Sequence, residues 1–246
     1  MSTISTSPLV DIARGLKADF NRGLSKLNSE SRANLQNTTQ FVKDTLKDAE
    51  GGHDWFHTQR VFKNAHLIAK GEDVNLFIVS LGALLHDIAD AKFHCGDESI
   101  GPKKARSFLE EERVSEEVIV HVENIIKEIS FKSSVGRKQQ FTSAELSVVQ
   151  DADRLDAIGA IGIARCFNYG GFKNRALYDP SIPPNLNMNK EEYTKSTAPS
   201  INHFYEKLLL LKDMMNTKTG RLIAQERHAY MESFLTQFYH EWEGVK

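Results

Sequence analysis

The sequence of 246 residues predicts an all-α protein with a single globular domain. Apolar residues recur at helical spacing along most of the chain, whereas the alternation typical of strands is scarce. No internal repeat and no credible linker between independent domains is evident, and the length allows one substantial hydrophobic core. We expect residues 1–34 to be an N-terminal extension, partly helical and partly irregular, and residues 35–246 to form the domain.

The predicted helices lie between recognisable start and stop signals. Asp54 is a favourable N-cap residue for the second helix, and Gly71 is placed to end it. Four prolines between residues 180 and 199 predict a long irregular loop over residues 168–200. The predicted helices cover residues 35–47, 54–70, 74–87, 103–112, 115–130, 143–167, 201–215 and 219–242.

Composition argues against several classes of protein. Lys and Arg total 31 and Asp and Glu total 33, so a formal net charge of −2 gives no basic field for nucleic acid or membrane. The longest apolar run, residues 76–85, is too short to cross a bilayer, and we expect no secretory signal at the N-terminus. Two cysteines, Cys95 and Cys166, make no disulfide framework, which favours the cytoplasm.

The strongest functional signal is His86-Asp87, at the end of the apolar run 76–85. A helix that is apolar on nearly all sides belongs in a core. An imidazole and a carboxylate at its end are costly to bury unless a partner compensates them. A bound metal cation would compensate both side chains at once.

Two other predicted helices direct polar side chains to the interior. His57 shares a helical stripe with Val61, and Asp153 lies between Val149 and Ala157 at the same spacing. A single inward histidine is usually a hydrogen-bonded core residue, but three helices with such ligands favour a metal site. Two imidazoles and two carboxylates suit one Mn²⁺, Fe²⁺, Co²⁺, Ni²⁺ or Mg²⁺ ion, with Mn²⁺ favoured. Such a site leaves about two octahedral positions for water and substrate.

The ordered set resembles the HD-domain metal-dependent phosphohydrolases, whose signature is H…HD…D on an all-helical core. Three segments carry the resemblance: GHDWFHTQRV at 52–61, LLHDIAD at 84–90 and QDADRLDAIG at 150–159. They are closest to a bacterial branch that includes nucleotide pyrophosphohydrolase-like members, and the likeness spans about residues 50–240. The resemblance implies an HD-domain/phosphodiesterase-like helical bundle with the ligands His57, His86, Asp87 and Asp153.

Two positions in this pattern have competitors nearby. His53 lies one helical turn before His57, and the family spacing assigns the ligand to His57 and a supporting role behind it to His53. Asp151 and Asp156 compete with Asp153. The family pattern assigns the ligand to the middle carboxylate, Asp153.

The resemblance also implies residues for catalysis and phosphate binding. Asp90 occupies the acidic position that resembles the general acid/base of single-metal members, where Glu is common. Lys92 and Arg60 are the phosphate-binding candidates, because both belong to the ligand segments. The alternatives are solvated surface residues at all three positions. His121 is the only loose candidate for a ligand of a second metal, so we expect one ion.

We therefore expect a phosphohydrolase in which a metal-activated water attacks a phosphate ester or anhydride of a nucleotide. The branch resemblance favours a nucleoside triphosphate with pyrophosphate as the leaving group. The alternatives are a nucleoside 5'-monophosphatase or other small phosphomonoesterase, a non-catalytic nucleotide sensor, and a helical interaction module. The expected partner is a small phosphorylated molecule, not a nucleic acid or a membrane.

Overall fold

The computed structural model describes residues 27–47, 54–89, 97, 99–129 and 140–245, and all regular structure in this part of the chain is helical. The all-α prediction is therefore confirmed. None of the helices described is both long and apolar enough to cross a membrane. The helices are α1 (Ser29–Thr45), α2 (Trp55–Ala69), α3 (Leu76–Leu85), α4 (Ile100–Glu111), α5 (Glu116–Glu128), α6 (Ala144–Asp156), α7 (Gly159–Phe172), α8 (Lys190–Lys195), α9 (Asn202–Glu206), a 3₁₀ helix (Leu208–Met214) and α10 (Lys218–Trp242).

Helix α3 lies at the centre of the bundle and contacts α1, α2, α5 and α6. Every residue from Ile78 to Leu85 is buried, which explains why this helix is apolar on all sides. A Cβ atom added at Gly82 would lie 3.2 Å from Ile125 and 3.4 Å from Val149. The glycine therefore lets α5 and α6 pack closely against the helix that ends at the predicted metal site.

Helix α2 begins as the sequence predicts. The side chain of Asp54 accepts a hydrogen bond of 2.8 Å from the backbone N–H of His57, which satisfies a donor that a helix start leaves open. His57 belongs to the buried face of α2, together with Val61 and Ala65. The cap and the buried stripe together fix the turn of helix from which His57 projects.

The prediction of one helix over residues 143–167 is wrong, because the chain breaks between α6 and α7. Gly159 has φ of +74°, a left-handed conformation that side chains other than glycine rarely adopt. A Cβ atom at Gly159 would also lie 3.0 Å from the side chain of Arg227 in α10. Gly162 packs against the carbonyl of Ala157 just before the break. These glycines allow the tight turn that places α7 against α6.

Other helix boundaries also differ from the prediction. Helix α1 begins at Ser29 because the Asn28 side chain accepts a hydrogen bond of 2.7 Å from the backbone of Ser31. Helix α7 continues to Phe172, and the short helix α8 interrupts the irregular segment predicted over 168–200. The single helix predicted over 201–215 is divided into α9 and the 3₁₀ helix, because the backbone of Lys207 leaves the helical region.

The start of α10 is tied to α6 through the buried carboxylate of Asp151. This carboxylate accepts hydrogen bonds from the backbone N–H of Asn216 at 2.8 Å and from the N–H and hydroxyl of Thr217 at 2.7 and 2.8 Å. Thr217 in turn caps α10 by accepting from the N–H of Gly220 at 2.9 Å. A Cβ atom at Gly220 would lie 2.5 Å from the Asp151 carboxylate, so glycine is needed there.

Removal of the Asp151 carboxylate should destabilise the fold. The Asp151→Ala change leaves the buried donors at the start of α10 without an acceptor, so we expect the free energy of unfolding to fall by about 3 kcal/mol. Chemical denaturation would measure this loss. Asp213→Ala, at an exposed position of the 3₁₀ helix, should change stability by no more than about 0.5 kcal/mol. Equal stability of the two variants would contradict the role of Asp151.

Candidate metal centre

Three of the four predicted metal ligands converge in the structure. His57 Nε2 lies 3.3 Å from His86 Nε2 and 3.4 Å from Asp153 Oδ1, and one ligand atom of each residue lies within 4.8 Å of the others. They come from α2, from the C-terminal end of α3 and from α6. Asp87 follows His86 in the chain and is half-buried; its role as the fourth ligand remains a prediction.

Hydrogen bonds fix the same tautomer in both histidines. Nδ1 of His57 donates to Asp156 Oδ2 at 2.7 Å, and Nδ1 of His86 donates to the carbonyl of Ala83 at 2.9 Å. A carbonyl can only accept, so the proton of neutral His86 stays on Nδ1 and the Nε2 lone pair remains available. The two imidazoles therefore direct lone pairs at each other across 3.3 Å.

This arrangement of lone pairs fits a metal ion. Two nitrogens at about 2.1 Å from one ion, with an angle of about 90–110° at the ion, are separated by about 3.0–3.4 Å. The 3.3 Å between the two Nε2 atoms lies in this range. A cation between them would turn a repulsion of lone pairs into a favourable coordination, and the donor set of nitrogen and carboxylate oxygen suits a divalent ion.

Burial keeps His57 in the form that binds metals. Burial lowers the pKa of the His57 imidazole, although the hydrogen bond with Asp156 and the charge of Asp153 favour the protonated form. A neutral imidazole has the free lone pair that a metal ion requires. His57 is therefore ready to bind a cation without first losing a proton.

Asp156 supports the candidate site through contacts that the sequence did not reveal. Its almost fully buried carboxylate accepts from His57, from Arg60 Nε at 2.6 Å and Nη2 at 3.0 Å, and from Arg165 Nη1 at 2.6 Å. Burial alone would raise the pKa of Asp156, but the hydrogen bonds from His57 and Arg60 and the charge of Arg165 hold it well below its usual range. Asp156 is thus an anion that orients His57, a candidate metal ligand.

The three neighbouring carboxylates of α6 have separate positions. Asp151 is buried and holds the start of α10, and Asp156 orients His57. Asp153 is the member of this group that joins the cluster of ligand atoms, with 39% of its side chain exposed. The geometry therefore favours Asp153 over its neighbours as the ligand. Spacing could have suggested the role of Asp156, because it follows Asp153 by one helical turn.

Of the remaining predicted site residues, the structure describes only Arg60. The Arg60 guanidinium binds Asp156 in a bidentate pair, so the structure shows a structural partner for it; its contact with phosphate remains a prediction. His53, Asp90 and Lys92 lie outside the described residues.

Comparison with known proteins identifies the family of this chain. The family model of the HD domain matches residues 55–158. The crystal structure of an HD-superfamily hydrolase from Bacillus thuringiensis has 45% sequence identity and a TM-score of 0.69, and the match covers 87% of this chain and 98% of that one. YpgQ of Bacillus subtilis is 37% identical over 212 residues, which cover 83% of this chain and 92% of YpgQ. The crystal structure of YpgQ in complex with ADP matches with a TM-score of 0.66 and 34% identity over 86% of this chain and 96% of that one.

An all-helical core in which two imidazoles and a carboxylate converge is suited to hold a divalent metal ion. The chain belongs to the HD-domain superfamily and is, at this general level, a metal-dependent phosphohydrolase. The resemblance found in the sequence is therefore confirmed for the family and its class of enzyme.

Replacement of His86 should remove the metal. The His86→Ala change eliminates one of the two nitrogen donors, so we expect the purified protein to lose its equimolar divalent ion when it is dialysed against Mn²⁺-free buffer. Elemental analysis by mass spectrometry would measure the ratio of metal to protein. His240→Ala, at an exposed position of α10, should keep the wild-type ratio. Retention of one ion per chain in His86→Ala would show that the ion binds elsewhere.

Loss of the Asp156 charge should weaken metal binding without removing a ligand. The Asp156→Asn change keeps the size of the side chain but no longer stabilises the Nδ1–H tautomer of His57 by charge. We expect the Kd for Mn²⁺ to rise by about 10–100-fold, measured by isothermal titration calorimetry. Circular dichroism would verify that the variant is folded, and Asp213→Asn would serve as the control. An unchanged Kd would mean that the position of His57 does not depend on Asp156.

Proposed function

We propose that this protein hydrolyses a phosphate anhydride of a nucleotide, with a nucleoside triphosphate as the substrate and pyrophosphate as a product. The observation that carries the proposal is the pair of guanidiniums beside the cluster of ligand atoms. Two guanidiniums, from Arg60 and Arg165, share the single carboxylate of Asp156, which also binds His57. Together with a divalent ion bound by the ligand set, these guanidiniums would outweigh the carboxylates of Asp87, Asp153 and Asp156 and attract an anionic group.

A nucleotide substrate has support from a relative. YpgQ, 34% identical in its structural alignment, has been crystallised in complex with ADP. The resemblance of segments 52–61, 84–90 and 150–159 to nucleotide pyrophosphohydrolase-like proteins favours the triphosphate reaction. The cytoplasmic location predicted from the sequence is part of the same proposal.

We assign one divalent ion to the site, with Mn²⁺ favoured, held by His57, His86, Asp87 and Asp153. The nitrogen and oxygen donors of this set fit a borderline-to-hard cation. When bound, such an ion supplies an activated water nucleophile and polarises a phosphoryl oxygen.

The residues of the chain prepare the site for this chemistry. Asp156 and the carbonyl of Ala83 hold the two imidazoles in the tautomer that presents Nε2. The side chains of Arg60 and Arg165 are 31% and 29% exposed, so both side chains remain accessible in part while Asp156 holds their guanidiniums. Positioned cations of this kind stabilise the charge that develops on a phosphoryl group.

Three further residues complete the proposal from the sequence. Asp90 would act as the general acid/base that moves a proton to or from the reacting oxygens. Lys92 would contact the substrate phosphates, and His53 would support the ligand histidine from behind.

The function can be tested with a panel of nucleoside mono-, di- and triphosphates in the presence of Mn²⁺, Mg²⁺, Co²⁺ or Ni²⁺. We expect triphosphates to yield a nucleoside monophosphate and pyrophosphate, identified by anion-exchange chromatography and ³¹P NMR. Asp87→Ala and Asp153→Ala should each lower kcat about 100-fold or more, while Asp213→Ala should remain active.

Three results would contradict parts of the proposed function. Release of inorganic phosphate from nucleoside monophosphates alone would identify a monophosphatase and overturn the triphosphate reaction. Binding of nucleotides without turnover by the metal-loaded protein would identify a sensor and overturn hydrolysis. Full activity of Asp87→Ala would exclude Asp87 from the ligand set.

A further inference from the structure

Helix α7 is joined directly to the metal centre by Arg165. Its Nη1 lies 2.6 Å from Asp156 Oδ2 and 3.2 Å from the Asp156 carbonyl. The same Oδ2 accepts from His57 Nδ1 at 2.7 Å. A single carboxylate oxygen therefore connects α7 with a ligand histidine, and the face of α7 that carries Arg165 begins beside the metal centre.

Two exposed aromatic residues follow Arg165 on this face of α7. Tyr169 is one helical turn further, about 6 Å along the axis, and Phe172 is almost two turns further, about 10 Å. Tyr169 is 47% exposed and Phe172 is 66% exposed. Large aromatic surfaces next to a charged site are suited to stack with a flat ring of a ligand.

The same region is positively charged. Residues 159–178 contain Arg165, Lys173 and Arg175 and no acidic residue, although Asp156 before this segment binds Arg165 and Asp179 follows it. Lys173 Nζ lies 5.8 Å from the centre of the Tyr169 ring, and the Arg175 guanidinium lies 5.5 Å from it. A hydrogen bond from Arg175 to the carbonyl of Ser196 fixes that side chain. Two cations from the segment that follows α7, Lys173 and Arg175, therefore lie near the exposed Tyr169 ring.

A nucleoside polyphosphate matches both properties of this surface, because it combines a flat aromatic base with several negative charges. An inorganic polyphosphate or a sugar phosphate would use the cations but not the aromatic ring. We propose that α7 forms the nucleoside-binding wall of the active site, in which Tyr169 stacks with the base while Arg165, Lys173 and Arg175 face the anionic part of the substrate. This inference rests on the proposed function, and it makes Tyr169 the residue that selects nucleotides over other phosphates.

Position on the helix favours Tyr169 over Phe172 for this role. In a nucleotide only the ribose separates the base from the first phosphate, so the base must lie near the group that binds the phosphates. Tyr169 is one turn from Arg165, whereas Phe172 is almost two turns away. Lys173 Nζ lies 5.0 Å from the Phe172 ring, so Phe172 belongs to the outer edge of the same surface.

The test compares two ligands that differ in the nucleoside. We expect Tyr169→Ala to raise the Kd for ADP about tenfold and to leave the Kd for inorganic tripolyphosphate unchanged, both measured by calorimetry with Mn²⁺ present. Tyr169→Phe should bind ADP like the wild type, because it keeps the ring. Tyr230→Ala removes a tyrosine of α10 that is 56% exposed and should change neither Kd. Metal content and circular dichroism should remain those of the wild type in every variant.

Three results would overturn the inference. These are wild-type affinity of Tyr169→Ala for ADP, an equal loss of affinity for ADP and tripolyphosphate, or a tenfold loss in Phe172→Ala instead. Hydrolysis is measured separately, so the two proposals can fail independently. Turnover of triphosphates with no effect of Tyr169→Ala overturns only the role of Tyr169. If Tyr169→Ala selectively loses ADP binding but the wild-type protein does not hydrolyse triphosphates, only the hydrolytic function is overturned.

Discussion

The organisation of the site depends on one buried carboxylate, that of Asp156. It receives a histidine from α2 and two guanidiniums, from α2 and α7, at distances of 2.6–3.0 Å. Such a group is costly to remove from water unless several donors compensate it, and here they do. This arrangement has a consequence for chemistry: one anion fixes the tautomer of His57 and holds two guanidiniums beside the cluster of ligand atoms.

Helix α6 combines structural and functional tasks within two turns. Asp151 holds the start of α10, Asp153 takes part in the cluster of ligand atoms and Asp156 orients His57. The packing of the C-terminal helix and the geometry of the metal centre are thus anchored to the same short segment. A distortion of α6 would therefore affect stability and metal binding together.

The parts of the fold that depend on local signals could be predicted from the sequence. The cap at Asp54 and the apolar character of α3 needed only neighbouring residues, and the order of histidines and aspartates indicated the family. The break at Gly159 could not be predicted, because residues 157–164 keep helical spacing and the turn depends on contact with Arg227. The pairing of Arg165 with Asp156 was missed for the same reason, since it exists only after the chain reverses there.

The separation of the site residues along the chain has a consequence for folding. His57 and Asp156 are 99 residues apart, and Arg60 and Asp156 are 96 apart. Closing loops of this length costs entropy before any contact repays it, so such contacts form late compared with local helices. A growing polypeptide that ends before α6 contains both histidines but neither Asp153 nor Asp156. The full ligand set therefore exists only after α6 has joined the bundle, so we expect the ion to bind after the first local helices have formed.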